Sequence, residues 1–315
     1  MLPSSRRLWA LLPLLPLLLL FALAGCAERK EPASASAGGG GGFPVTLRPA
    51  GAPEVTLEAA PERIVSLSPS TTETLYAVGA GEQVVAVDDQ STYPEQAPRT
   101  SLSGLNIDPE AIASHNPDLV VVESDLENKL SKALAKTGTK TLVLPAPATL
   151  RDAYTQFELV GKATGHAKEG AELARRTEAE ISKLVADTPK TELSYYHELD
   201  PSFYSVTSAT FIGGVYDLFG LRNIADQDDP NALGGYPQLS AEHILRSDPD
   251  LIFLADTNCC GQSADTVAER PGWDTLTAVR QGRVVAVPDD IASRWGPRLV
   301  DFVRTVSSTV RDAGR

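Results

Sequence analysis

The chain writes one helix–turn–strand sentence twice. EAIASHNPDLVVV begins at Glu110 and EHILRSDPDLIFL begins 132 positions later, at Glu242. Aligned without gaps, the two share Glu110 with Glu242, Ile112 with Ile244, Pro117 with Pro249, Asp118 with Asp250, and Leu119 with Leu251. Pro-Asp ahead of an apolar strand is common turn chemistry, so one such match would say little. Here five identities fall in thirteen positions, and a flank matches too, with Gly79 of LYAVGAGE opposite Gly220 of YDLFGLRN. A chain that repeats itself at this distance is built from two similar lobes.

The elements around the repeats agree. RIVSLS reads as a β-branched strand. Ser70 and Glu73 have capping-box spacing, which predicts a helix from Thr71, closed by Gly79 in a left-handed cap. VVAVDD is a strand, and Asp108-Pro109 opens a helix as N-cap and first helical residue. LVVVE, a helix over LENKLSKALAKTG and the strand KTLVLP follow. Short apolar strands alternating with helices indicate a parallel sheet covered on both faces. From Leu150 to Asp187 no strand pattern occurs. Leu173, Ala174, Thr177, Ile181, Leu184 and Val185 recur at helical spacing, and Gly165 breaks the stretch into two helices, the second long. Alternation resumes with LSYYHE, FIGGVYDLFG, AEHILRS capped by Ser240, LIFLA, VVAVP and a terminal helix over PRLVDFVRTVSSTV. The expected fold is α/β, two Rossmann-like lobes joined by a long backbone α-helix: residues 45–149, a helical connector over 150–187, and residues 188–315.

Ahead of residue 45 the chain reads as processed and then unfolded. Arg6 and Arg7 precede the apolar run LWALLPLLPLLLLFALAG, which is the layout of a signal peptide over residues 1–25. Pro13, Pro16 and the placement of Cys26 directly after LAG favour cleavage over a transmembrane anchor. LAGC resembles a bacterial lipoprotein signal, which implies a lipid on Cys26 and an extracytoplasmic protein anchored to the cell membrane. Residues 26–44 are small, polar and glycine-rich, a flexible tether. The formal net charge of −13 argues against nucleic acid and against direct adhesion to anionic lipid, so membrane contact is expected through the lipid alone.

No catalytic constellation can be assembled. The chain has four histidines and no G-x-S-x-G, phosphate loop or H-E-x-x-H. A membrane-tethered hydrolase, the competing class, needs a nucleophile, a base and an oxyanion site. His197, at a strand end beside Glu198, comes nearest to a chemical role, and a structural role is the better reading of it.

The whole from Val45 onward resembles the substrate-binding proteins of ABC importers for vitamin B12, ferric siderophores and haem. PERIVSLSPSTTETLYAVG, YPEQA, PDLVVV, TFIGGVYDLFGLRNIA, YPQLSAEHIL, PDLIFL and SRWGPRLVDFV carry the resemblance. It implies capture of a small-molecule metal chelate between the lobes, delivery to a permease dimer, no catalysis, and no cofactor or metal site beyond the ligand itself. In open α/β sheets the crevice lies at the C-terminal strand ends. There Tyr93, Phe203, Tyr236 and Trp295 offer flat apolar surface, and Gln90, Glu123, Asp290 and Arg294 offer polar contacts, a mixture suited to a planar or amphipathic ligand. Core packing is the alternative for each aromatic, strongest for Phe203. Tyr236 falls where the vitamin B12 branch has an aromatic facing the corrin, and Asp290 and Arg294 fall on polar ligand contacts. Gln90, Gly104 or Leu105, and Glu123 stand where that branch has aromatics, which leaves corrinoids, ferric siderophores and haem or another metal chelate all open. The resemblance further implies that Glu110 and Glu242 pair with arginines on the two permease subunits; an acid in a first turn also simply complements the helix dipole. Cys259 and Cys260 are adjacent in an oxidising compartment, where a vicinal disulfide, two thiols packing the loop, or a metal or ligand contact are the three states open to them.

Overall fold

The computed structural model describes residues 42–226 and 232–314. The expected signal peptide, Cys26 and the tether as far as residue 41 lie outside the described residues. A short antiparallel hairpin comes first, β1 (Val45–Leu47) with β2 (Val55–Leu57). Five parallel strands follow: β3 (Ile64–Leu67), β4 (Val84–Asp88), β5 (Arg99–Leu102), β6 (Leu119–Val122) and β7 (Lys140–Val143), in the order β5-β4-β3-β6-β7. Helices α1 (Pro69–Ala77), α2 (Pro109–Ala113) and α3 (Lys129–Leu134) connect them. Side chains alternate between the faces of this sheet. Ile64, Leu119 and Val121 enter one core with Leu75, Phe157 and Leu173, while Val65, Val120 and Val122 enter a second with Ile112, Leu130 and Leu134. Burying each such side chain contributes on the order of 1.5–3 kcal/mol.

The connector is α4 (Leu150–Thr164) and α5 (Ala167–Ala186). Thr149 and Asp152 form a reciprocal capping box at the start of α4, and Gly165 ends it at φ +82°. The two helices then cross at close range. A Cβ on Gly161 would lie 2.8 Å from the Gly170 Cα, and one on Gly170 would lie 2.7 Å from the Phe157 carbonyl oxygen, so only glycine allows the approach. Leu173 and Ala174 belong to the first-lobe core, and Ile181, two turns further along the same helix, to the second-lobe core. Tyr154 packs against both. The connector is therefore embedded in each lobe rather than strung between them.

The second lobe repeats the plan. Parallel strands β8 (Ser194–Glu198), β9 (Arg222–Asn223), β10 (Leu251–Leu254) and β11 (Val284–Ala286) take the order β11-β10-β8-β9. Around them stand α6 (Phe211–Asp217), α7 (Ala241–Ser247), the short helices α8 (Thr257–Cys260), α9 (Ala264–Ala268), α10 (Thr277–Arg280) and α11 (Asp289–Ala292), and the long α12 (Leu299–Ala313). Arg304 of α12 bridges Glu180 of α5 and Asp301.

Four of the five repeated identities have matching structural tasks. Ile112 and Ile244 are both buried. Asn116 and Asp248, aligned in the repeat, both take positive φ, +48° and +40°. The Asp118 carboxylate accepts from the Glu62 amide at 2.7 Å and the Arg63 amide at 3.1 Å, just ahead of β3. Asp250 accepts from the Ser194 amide and hydroxyl, both at 2.8 Å, at the start of β8. Each aspartate thus pins the strand that pairs with the one it precedes, fixing Leu119 opposite Ile64 and Leu251 opposite Tyr195. Pro117 and Pro249 stop the preceding helix. Glu110 and Glu242 are exposed and make no contact among the described residues that explains them.

Three local expectations need correction. The first helix begins at Pro69, not Thr71; its N-cap is Ser68, whose hydroxyl accepts from the Thr71 amide, and Glu73 takes no part in capping. The helix expected over LENKLSKALAKTG starts only at Lys129, because Glu127 and Asn128 sit at φ +58° and +55° and Asp125 accepts from the Leu130 and Ser131 amides beyond them. The edge strand β5 was not anticipated: of Arg99–Leu102 only Leu102 is buried, so no apolar run marks it.

Replacing Asp118 or Asp250 by Ala should cost about 1–3 kcal/mol by denaturant unfolding, because charge-assisted bonds to strand-leading amides are lost. Glu110→Ala and Glu242→Ala should each cost less than about 1 kcal/mol. Equal losses at all four positions would contradict this division of labour.

Candidate functional site

A cleft of about 650 Å³ opens at the C-terminal strand ends of the first lobe, closed from the other side by α11 and the turn after it. Asp88, Asp89 and Gln90 leave β4, Glu123 leaves β6, and Asp290, Arg294 and Trp295 face them from the second lobe. Chain geometry explains the placement. A parallel sheet ends all its strands on one edge, so residues just past each strand gather there whatever their separation in sequence.

The lobes meet beside this cleft on one carboxylate. Glu73, buried on α1, accepts from Arg298 through Nη2 at 2.5 Å and Nε at 3.1 Å, and from Arg294 Nη1 at 3.3 Å. Arg294 also donates to the Gln90 carbonyl at 2.8 Å and to Asp290 at 2.6 Å. Thr92 donates to Asp290 at 2.8 Å, and the Trp295 amide to the Ser70 hydroxyl at 3.3 Å. Gly296 lies against the knot, where a Cβ would stand 3.0 Å from Glu73 Oε2. Helix α1 and the loop after β4 in the first lobe are thereby tied to one second-lobe turn, with the charge-assisted bonds to Glu73 centred on a buried carboxylate, where such bonds are strongest.

Five of the eight residues expected to meet a ligand are brought together here: Gln90, Glu123, Asp290, Arg294 and Trp295. Tyr93 is not with them. It follows the same loop into a separate hollow, where Arg298 lies 4.3 Å over its ring. Phe203, expected to meet a ligand, stacks instead on Trp273 at 5.6 Å inside the second lobe, which is the packing alternative. Tyr236 stands half-exposed and is not among the residues lining the cleft. Sequence reasoning missed Asp88, Glu73 and Arg298. Asp88 read as the end of a strand and Glu73 as a capping residue; no local pattern shows that a helix glutamate faces an arginine 225 positions away. Gly104 has no room for the aromatic expected there by resemblance, since a Cβ would meet the Leu67 carbonyl at 2.7 Å, and Leu105 beside it is a 91% exposed aliphatic at the cleft's edge.

Burial pushes the Glu123 carboxyl upward, opposed by the Ser68 hydroxyl that donates to it at 2.8 Å and reinforced by Asp88. Burial likewise raises Asp88, opposed by Ser91 and reinforced by Asp89. Further into the second lobe, Arg270 forks onto the buried Glu198 with two 2.6 Å bonds and lies 4.6 Å over Trp273. His197 is fully buried, bonds Tyr216 at 2.8 Å, and is held neutral with its pKa lowered to about 3 by burial, a structural histidine. Cys259 and Cys260 are joined to each other at the end of α8. Asp289 ties that helix to the cleft wall by accepting from the Asn258 and Cys259 amides at 2.9 and 2.8 Å.

Two outcomes follow. Glu73→Ala strips Arg298 of both its bonds to Glu73 and leaves Arg294 only Asp290 and the Gln90 carbonyl, and should cost about 3 kcal/mol or more, read by denaturant unfolding; an unchanged midpoint would mean the knot is ornamental. Asp256 is fully buried with no donor for either oxygen, and burial together with Glu198 raises its pKa to about 7. A proton on Asp256 makes it a donor to Glu198. The folded chain then holds a proton that the unfolded chain releases near 3.8. That contribution to stability is full below 3.8 and is lost as pH rises through about 7. The melting temperature of Asp256→Asn should fall less between pH 5 and pH 8 than that of the parent, and parallel curves would rule the titration out.

Comparison with known proteins agrees with this geometry. The family described as periplasmic binding protein matches residues 64–291. An ABC transporter substrate-binding lipoprotein of Bacillus subtilis, named YvrC, is 31% identical over 279 residues, covering 85% of this chain and 86% of the relative. A cobalamin-binding protein of Halobacterium salinarum is 32% identical over 275 residues, covering 82% and 72%. Among solved structures, a possible iron-binding (periplasmic solute-binding) protein from Staphylococcus epidermidis is 25% identical with a TM-score of 0.66, covering 80% of this chain and 99% of that one. With more than half of its length matched and two α/β lobes facing across a cleft, the chain belongs to the periplasmic binding protein family and is a substrate-binding protein of ABC importers, not an enzyme.

Proposed function

We propose that this protein captures a metal chelate, a corrinoid or a ferric siderophore, in the cleft between its lobes and hands it to a membrane permease. The observation that carries the reading is the convergence of Gln90, Glu123, Asp290, Arg294 and Trp295 on one 650 Å³ space, a size within the range that holds most of a small ligand's surface. Relatives named for cobalamin and for iron favour the same class of ligand. The metal arrives within the ligand, and the protein needs no cofactor of its own. Lipid on Cys26 keeps the body at the outer face of the cell membrane.

Glu110 and Glu242 are the proposed permease contacts. Each sits in the first turn of a helix, after Asp108 and Ser240 as N-caps, at equivalent places in two repeated lobes. A pair of exposed acids fixed to two rigid lobes makes a two-point ruler that sets orientation and association rate more than affinity.

Trp295 lines the cleft, so intrinsic fluorescence should change when cobalamin, a ferric siderophore or haem is titrated in, and Trp295→Phe should remove most of the change. No response to any of the three would overturn the ligand reading. Reversing both glutamates to Lys should leave ligand affinity within about twofold while uptake falls at least about tenfold; uptake that survives the double reversal leaves the helix dipole as their sole role.

A further inference from the structure

We propose that Asp88, Glu123 and Asp290 make the cleft selective for metal chelates that carry positive charge or amide N–H donors, and against anionic ones. This rests on the reading of the cleft as the ligand site. The described residues lining it include five acids (Asp88, Asp89, Glu123, Asp289 and Asp290) and a single base, Arg294. That base is already committed: it donates to Glu73, to Asp290 and to the Gln90 carbonyl. No cation is left in the lining to meet a ligand carboxylate. Anionic chelates need such a cation, because an unpaired charge taken out of water costs several kcal/mol.

A second observation points toward what the site does accept. Asp88 is 2% exposed and its Oδ1 has no hydrogen-bond partner among the described residues. A buried acceptor left without a donor is costly. Asp88 lines the cleft, so a ligand N–H or a positive centre seated there would satisfy it. Glu123 has the Ser68 hydroxyl on one oxygen, Oε1, and faces the same space. The upward displacement of both carboxyls by burial is the same cost seen from the proton's side: the cleft holds charge in poor solvation, and a positive or amide-rich ligand relieves it. Corrinoids, with primary amides around the ring, and hydroxamate chelates with a free ammonium have this chemistry. Haem and ferric tricarboxylates have the opposite.

The test uses matched pairs in which only charge differs, so size and metal are constant. One pair is cyanocobalamin and its monocarboxylic acid, in which one peripheral amide is hydrolysed. The other is ferrioxamine B and its N-succinyl derivative. Each, and haem as the anionic comparison, is titrated into the full-length protein in detergent micelles and followed by calorimetry. Within whichever pair binds, the neutral or cationic member should bind about tenfold tighter or more. Glu123→Gln and Asp88→Asn should each shrink that preference about threefold or more, with melting temperatures recorded to show that both variants fold. A preference near one, or one unchanged in both variants, overturns the selectivity. Binding of haem alone overturns it too, while leaving capture of a metal chelate standing. Binding of no chelate at all removes both the ligand reading and the selectivity built on it.

Discussion

One buried carboxylate holds the working parts of this protein in place. Glu73 lies on the first helix of the first lobe, and the two guanidiniums that reach it, Arg294 and Arg298, come from the far end of the chain. Around it, Asp290 is oriented by Arg294 and Thr92, and the Trp295 backbone is set by Ser70. The same side chains that would touch a ligand are thus positioned by the contact that joins the lobes. A site positioned before its ligand arrives avoids part of the ordering cost of binding.

The connector supports the same rigidity by a different physical route. A hinge needs residues free to change their backbone angles. Here the chain between the lobes is two helices whose apolar faces enter both cores, and whose crossing leaves no space for a side chain at Gly161 or Gly170. Moving one lobe against the other would expose Ile181 or Leu173 to water and pull Arg298 from Glu73.

Much of this was legible in the sequence, for identifiable reasons. The central strands alternate cleanly between two cores, so Ile64–Leu67, Leu119–Val122 and Leu251–Leu254 stood out as apolar runs. Asp108 and Ser240 announced helices by local capping that the fold does not override. The repeat itself was visible because Asp118 and Asp250 perform one task twice. What could not be read was long-range or very short. Helices α8 to α11 span four or five residues each, too few for a helical period to show. The Ser70-x-x-Glu73 spacing satisfied a local rule while Ser68 supplied the cap and Glu73 served the other lobe. Aromatics beside prolines suggested a cleft lined by Tyr93 and Tyr236; instead Tyr93 lies beneath Arg298 in a separate hollow, and acids line much of the cleft.

The rigid, preformed cleft is the centre of the account, and inter-lobe distance measures it most directly. Spin labels carried by unnatural side chains at Lys136 and Arg280, both exposed and on opposite lobes, report that distance by pulsed electron resonance. With the wild-type knot, a saturating chelate should move the main distance by less than about 2 Å and leave one narrow distribution, and Glu73→Ala should broaden it even without ligand. A ligand-driven shift of more than about 5 Å in the wild type, or no broadening in the variant, would contradict it.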